Sequence, residues 1–179
     1  MQTIPKRINA QTPSHYFCRM IRRLPFFVFA ALAALLFAFA RQSISKVEKL
    51  GERLFFDPLL SLDSTVSCAS CHIPQFAFSD TARVSKGVGG RPGRRNAPGI
   101  TNMSARPHFF YDGRALTLEQ QVLMPIQDTL EMRATPALVT ERLRRHKEYD
   151  AAFEQLFGKQ ADMESLAVAL AAYIRTLET

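Results

Sequence analysis

Residues Ser67–Asp80 read SCASCHIPQFAFSD: Cys68 and Cys71 stand three positions apart, and His72 follows the second cysteine directly. Two thiols on one helical turn can add across two vinyl groups, and an imidazole beside the second thiol can reach an iron from below. CxxCH is therefore read as the signature of covalent c-type haem attachment, with one haem c bound and His72 as its proximal axial ligand. Two rival readings use the same residues. A redox CxxC sits at a helix start after a strand, in a βαβ setting, and no such setting precedes Ser67. A zinc site needs a second ligand pair at matching spacing, and the only other cysteine in the chain is Cys18.

Cys18 belongs to a basic leader. Lys6, Arg7, Arg19, Arg22 and Arg23 precede Leu24 with no acid among them, and Leu24–Ala40, LPFFVFAALAALLFAFA, then runs 17 residues without a charge. The heavier basic cluster on the N-terminal side keeps that terminus in the cytoplasm. Ala38-Phe39-Ala40 has the small-x-small form of a signal-peptidase site, while the length is also the short limit for a membrane helix. Residues 1–40 are thus expected to be a cleaved signal peptide or an uncleaved anchor. Both export residues 41–179 to the periplasm, soluble or anchored, and the membrane is met only through this segment.

The net charge of +7, from 23 Lys+Arg and 16 Asp+Glu, largely dissolves once the leader is set aside: from Arg41 onward, 18 basic residues face 16 acidic ones. Binding to nucleic acid needs clustered positive excess, so no nucleic-acid partner is expected. With only Cys68 and Cys71 beyond the leader, no disulfide framework is expected either.

Hydrophobic periodicity makes the exported part all-α. Ser43–Phe56 reads as a helix with Val47, Leu50, Leu54 and Phe55 on one face, stopped by Asp57-Pro58. Val84–Gly99, rich in Gly, Pro and Arg, reads as a long loop without a packed element. Leu116–Gln127 reads as a helix interrupted by Pro125. Thr135-Pro136 supplies an N-cap and a first-position proline. Tyr149–Phe157 follows, closed by Gly158, and Asp162 caps a last helix whose stripe is Leu166, Leu170, Tyr173, Ile174 and Leu177.

The second face of the iron decides between two function classes. An electron carrier caps it with a strong ligand, and an enzyme leaves it open to peroxide or oxygen. Met103, Met124, Met132, His108 and His146 are all candidate caps, and composition does not choose among them.

Motif order carries more. LGERLFFDPLLSLDSTVSCASCH (Leu50–His72) is followed by RRNAPGITN (Arg94–Asn102), FFYDGR (Phe109–Arg114), LEQQVLMPIQDTLEM (Leu118–Met132) and ALAAYIRTLET (Ala169–Thr179). From Val47 to Thr179 the chain resembles the N-terminal haem domain of the bacterial di-haem cytochrome c peroxidase family, which includes the methylamine-utilisation maturation enzymes. The resemblance implies a cytochrome c-like haem domain with long Gly/Pro-rich loops. It implies reduction of hydrogen peroxide to water with electrons from a small cytochrome c or a cupredoxin. Cys68 and Cys71 match the thioether positions and His72 the proximal ligand. Glu131 matches the distal acid–base carboxylate, Gln121 a distal-pocket glutamine, and Asn96 a ligand of an inter-domain calcium. Arg95 and Arg114 match positions that face the haem propionates.

The chain departs from the family pattern in three places. Val88 stands where the family carries a switchable distal histidine in the Gly-rich loop. Tyr111 replaces the tryptophan between the haems, leaving a residue that reads equally as an electron path or as a core aromatic beside Phe109 and Phe110. The second, C-terminal haem domain does not follow the RTL-like helix end, so a second haem-bearing chain enters as an expected partner. The alternatives are a mono-haem electron-transfer cytochrome and a truncated, non-functional peroxidase half.

Overall fold

Three of the helices begin where a side chain holds the first orphan amides. In the computed structural model, which describes Leu32 and residues 46–179, the α-helices between residues 46 and 179 are α1 (46–56), α2 (Cys68–Cys71), α3 (Leu118–Gln127), α4 (Pro136–Arg145), α5 (Lys147–Phe157) and α6 (Met163–Arg175). Thr117 accepts from the amide of Gln120, Thr135 from that of Leu138 with Pro136 next in line, and Asp162 from that of Ser165, whose hydroxyl returns to the Asp162 amide. Each such cap contributes about 1 kcal/mol. Gly158, at φ 68°, closes α5 in the left-handed region. The leader segment apart from Leu32, its Ala38-Phe39-Ala40 site, Cys18 and residues 43–45 of the first expected helix lie outside the described residues. Among the described residues no helix is long and apolar enough to cross a membrane.

Two expectations need correction. Pro125 does not interrupt α3, which runs unbroken to Gln127. A proline removes one amide and crowds the carbonyl four residues back, but here it falls in the last turn. Chain returning past the helix end supplies the Met132 and Ala134 amides to the carbonyls of Pro125 and Ile126. Second, α5 starts at Lys147 rather than Tyr149, with only His146 between it and α4.

Helices of ten to thirteen residues are marginal alone, so the fold rests on their buried faces. α6 is the centre: Leu166, Ala167, Ala169, Leu170, Ala171, Tyr173 and Ile174 are all buried. α3 lays Leu118, Val122 and Ile126 against it, and Leu50, Leu54 and Phe55 of α1 join the same core. Each large side chain so buried contributes about 1.5–3 kcal/mol. Gly51 sets how closely α1 approaches α6, since a Cβ there would lie 1.9 Å from the Ala169 carbonyl oxygen.

A second group of contacts ties the opposite end. The Arg142 guanidinium on α4 donates to the carbonyls of Leu59, Ser61 and Leu62. The Leu62 amide in turn donates to Met132 O at 2.8 Å. Tyr149 Oη donates to Asp57 Oδ2 at 2.6 Å, while Asp57 Oδ1 caps the Pro58–Leu60 turn. No β-strand occurs among the described residues, only the isolated bridges Ile73–Ser79, Lys86–Pro92 and Phe109–Ala115.

Candidate haem site

α2 is a single turn that presents Cys68 and Cys71 one turn apart on the same side. Both are free thiols. Burial pushes the Cys68 thiol up to about 12 and raises that of Cys71 as well. A dithiol redox motif depends on a lowered thiol pKa, so these environments work against that reading. Among the described residues no group of three or more His, Cys, Asp or Glu side chains could hold a metal ion, which leaves the zinc reading without its second ligand pair.

His72 is held for coordination. Its Nδ1 donates to Phe78 O at 2.9 Å and Pro98 O at 3.1 Å. Two carbonyls can only accept, so Nδ1 carries the proton and Nε2 keeps the lone pair that a metal would take. Burial lowers the imidazole pKa, and the two carbonyl bonds partly restore it, so the ring is biased toward the neutral, ligating form. The core fixes those carbonyls: the Ile73–Ser79 bridge closes the loop and the Phe78 ring packs 6.0 Å from Phe55. Such outer partners set the orientation of a ligating histidine. Two free thiols on one turn and a histidine with a free Nε2 fit a covalently attached haem.

Glu131 lies in the turn that follows α3. Asp128 builds that turn: its Oδ1 accepts from the Leu130 amide, and its carbonyl from the amides of Glu131 and Arg133. Glu131 is exposed at its surface, yet surrounding protein raises its pKa, first by desolvation and then through Asp128, with Arg114 and Arg94 opposing. Its charge bears on both Cys68 and Cys71. The carboxylate therefore belongs to the neighbourhood of the CxxCH turn.

Between them runs the Gly-rich loop, largely exposed as a loop should be, but with Gly87 and Val88 buried at its centre. Val88 is buried, opens a short 3₁₀ turn (Val88–Gly90), and donates its amide to Glu131 O at 2.9 Å. On the loop's other side, Cys71 Sγ lies 3.9 Å from Lys86 O. Val88 offers no lone pair to a metal.

The remaining residues scatter around this centre. Arg114 pairs with Asp112 at 2.9 Å and stacks 3.6 Å over Phe110; Arg95 lies 4.8 Å over the Tyr111 ring. Tyr111 is 91% exposed, which rules out the core-aromatic reading, since its neighbour Phe109 takes the inward position instead. Asn96 donates its amide to the carbonyls of Asp80 and Ala82, leaving Oδ1 as the atom able to ligate a cation. Arg94, Asp112, Arg114, Met124, Gln127 and Asp128 line an open groove of about 560 Å³ that excludes the cysteines and His72. Gln121 is half-buried one turn before Met124 on α3. Met103 and Met132 are core residues. His146 packs its ring, tilted by 45°, 4.8 Å from that of Tyr149, and His108 is exposed beside Gly113. The sequence between Thr81 and Tyr111 contains no acid, and its six exposed cations, Arg83, Lys86, Arg91, Arg94, Arg95 and Arg106, enter no ion pair among the described residues. A prosthetic group with two carboxylates finds counter-charge there. Sequence reasoning missed Phe78, Pro98, Gly87 and Asp128, the first two because they act through backbone carbonyls.

Residues 45–179 match the family model described as di-haem cytochrome c peroxidase. The chain is 39% identical to a cytochrome c551 peroxidase of Pseudomonas aeruginosa, across 77% of this chain and 41% of that protein. It is 40% identical to the methylamine utilization protein MauG of Methylorubrum extorquens, across 72% of this chain and 37% of that one. Among solved structures, a MauG-like protein associated with microbial copper homeostasis aligns at TM-score 0.70 and 31% identity, covering 75% of this chain and 41% of its own. The diheme peroxidase BthA of Burkholderia thailandensis aligns at TM-score 0.66 and 33% identity, with 72% and 38% covered. The chain thus spans about two fifths of the length of these relatives.

Proposed function

Because this chain belongs to the di-haem cytochrome c peroxidase family, we propose that residues 41–179 form an exported, periplasmic c-type haem domain that reduces hydrogen peroxide at a haem held by Cys68, Cys71 and His72. One observation carries the reading: the His72 Nδ1 proton is committed to two backbone carbonyls beside two free thiols, with a carboxylate of raised pKa in the same neighbourhood.

The overall reaction takes one peroxide, two electrons and two protons to two waters. When bound, haem supplies the iron at which the O–O bond is reduced. The protein's part is ligation, access and proton handling. Nε2 of His72, left free by the Nδ1 bonds, would ligate the iron. A carboxylate oxygen of Glu131 takes the proton from one peroxide oxygen and returns it to the other. Gln121, on the resemblance, orients peroxide through its amide. Arg95 and Arg114 supply charge to the propionates. Electrons come from a small cytochrome c or a cupredoxin, and a second haem-bearing unit relays them, with calcium at Asn96 where that unit meets this domain.

Haem-loaded protein, mixed with peroxide and a reduced small cytochrome, tests this. The expected result is a reaction of the haem with peroxide at least tenfold faster than that of a haem-loaded Glu131→Gln variant, with sustained oxidation of the donor only when a second haem-bearing unit is added. A low-spin holoprotein that exchanges electrons with the donor and leaves peroxide unchanged would identify an electron carrier instead.

A further inference from the structure

The turn that bears Glu131 is held from two sides. From one, the Leu62 amide donates to Met132 O at 2.8 Å; from the other, the Val88 amide donates to Glu131 O at 2.9 Å. The second contact demands an unusually close approach. A Cβ on Gly87 would lie 2.1 Å from Leu130 O and 2.5 Å from Glu131 O. Gly87 is not here for a left-handed backbone, since its φ is −90°; it is here because no side chain fits. Its own amide is used as well, donating to Arg91 O at 2.9 Å, so the loop closes on itself while resting on the Glu131 turn. The same loop passes Cys71 at Lys86 O. One strand of backbone therefore spans from the haem-attachment turn to the carboxylate.

We propose that Gly87, with the Val88 amide, is the positioning element that sets Glu131 at its working place beside the CxxCH turn. The proposal rests on the acid–base reading of Glu131 given above. A substitution at Gly87 pushes on two carbonyls flanking the Glu131 Cα, and flexible side chains cannot absorb a clash with backbone. The turn moves away from the loop, the carboxylate gains water, and proton transfer loses its geometry. A shift of about 1 Å at such a site can cost on the order of 10²-fold. The haem-attachment turn depends on His72 with Phe78 and Pro98, and should survive.

The test compares wild type, Gly87→Ala, Glu131→Gln and the double variant, each made with haem in a maturation-competent host. Gly87→Ala is expected to keep full covalent haem. It should lose hydrogen-exchange protection at the Val88 amide but not at Leu62, and should react with peroxide about 10²-fold more slowly. Its low-pH limb should move toward the ordinary glutamate range, because the desolvation that chiefly raises the Glu131 pKa is relieved while the charges of Asp128, Arg94 and Arg114 are unchanged. The double variant should be no slower than Glu131→Gln alone, since both act on one proton transfer. Should Gly87→Ala fail to fold, Val88→Pro replaces it: proline suits the first position of a helical turn after an extended residue, and it deletes the amide that reaches Glu131. Independent, multiplying losses in the double variant, or a wild-type peroxide rate in Gly87→Ala or Val88→Pro while Glu131→Gln is slow, would overturn the positioning role. A wild-type rate in Glu131→Gln would overturn the acid–base reading, and the positioning role with it.

Discussion

Changing both Cys68 and Cys71 to alanine should abolish covalent haem, and changing either one should leave a single thioether. Each attachment adds one S–H across one vinyl double bond, with no oxidant consumed, so every thiol removed deletes one link. Protein made in a host with cytochrome c maturation should carry one haem that resists acid–acetone extraction; the double variant should release all of it. His72→Ala should behave differently. The thioethers form, but the proximal nitrogen is lost, and the spectrum should change because the Phe78 and Pro98 carbonyls then hold nothing against the iron. Bound zinc and no haem from such a host would sink the reading of CxxCH.

The second large effect belongs to Glu131. Its amide analogue, Glu131→Gln, keeps the size and the turn but cannot take a proton. The bimolecular reaction with peroxide should slow by about 10²–10⁴-fold. The pH dependence carries a sign. The working form is the carboxylate, and desolvation by the surrounding protein, with Asp128, raises its pKa. The wild-type rate should therefore fall as pH drops through a value above the ordinary glutamate range of about 4.3. In Glu131→Gln that limb should vanish. Stopped-flow spectra across pH measure both, and an unchanged first step in the variant would remove Glu131 from the chemistry.

Much of this was legible from residue types. Thr135-Pro136, Gly158 and Asp162 announce helix ends because capping is local chemistry, decided within four residues. CxxCH is local in the same way. What escaped depends on backbone brought together from afar. No side chain advertises that the carbonyls of Phe78 and Pro98 meet at His72. Gly87 looks like one more loop glycine until Leu130 and Glu131 are set against it. Pro125 was misread because its helix end is capped by residues that return from beyond it. Tyr111 sits in an aromatic run, where residue type left it equally a core aromatic or an electron path; Phe109, at the Phe109–Ala115 bridge, is buried and Tyr111 is exposed.

The proposed haem has an open second face beside Glu131. Val88 stands buried on the loop against the Glu131 backbone and cannot ligate, while Met103 and Met132 are committed to the core. The most direct measurement is the optical and paramagnetic resonance spectrum of the ferric holoprotein, recorded before and after cyanide. The prediction is a high-spin or weakly capped iron that binds cyanide without prior reduction. A low-spin spectrum, indifferent to cyanide and peroxide and abolished by changing Met103, Met124 or Met132, would contradict it.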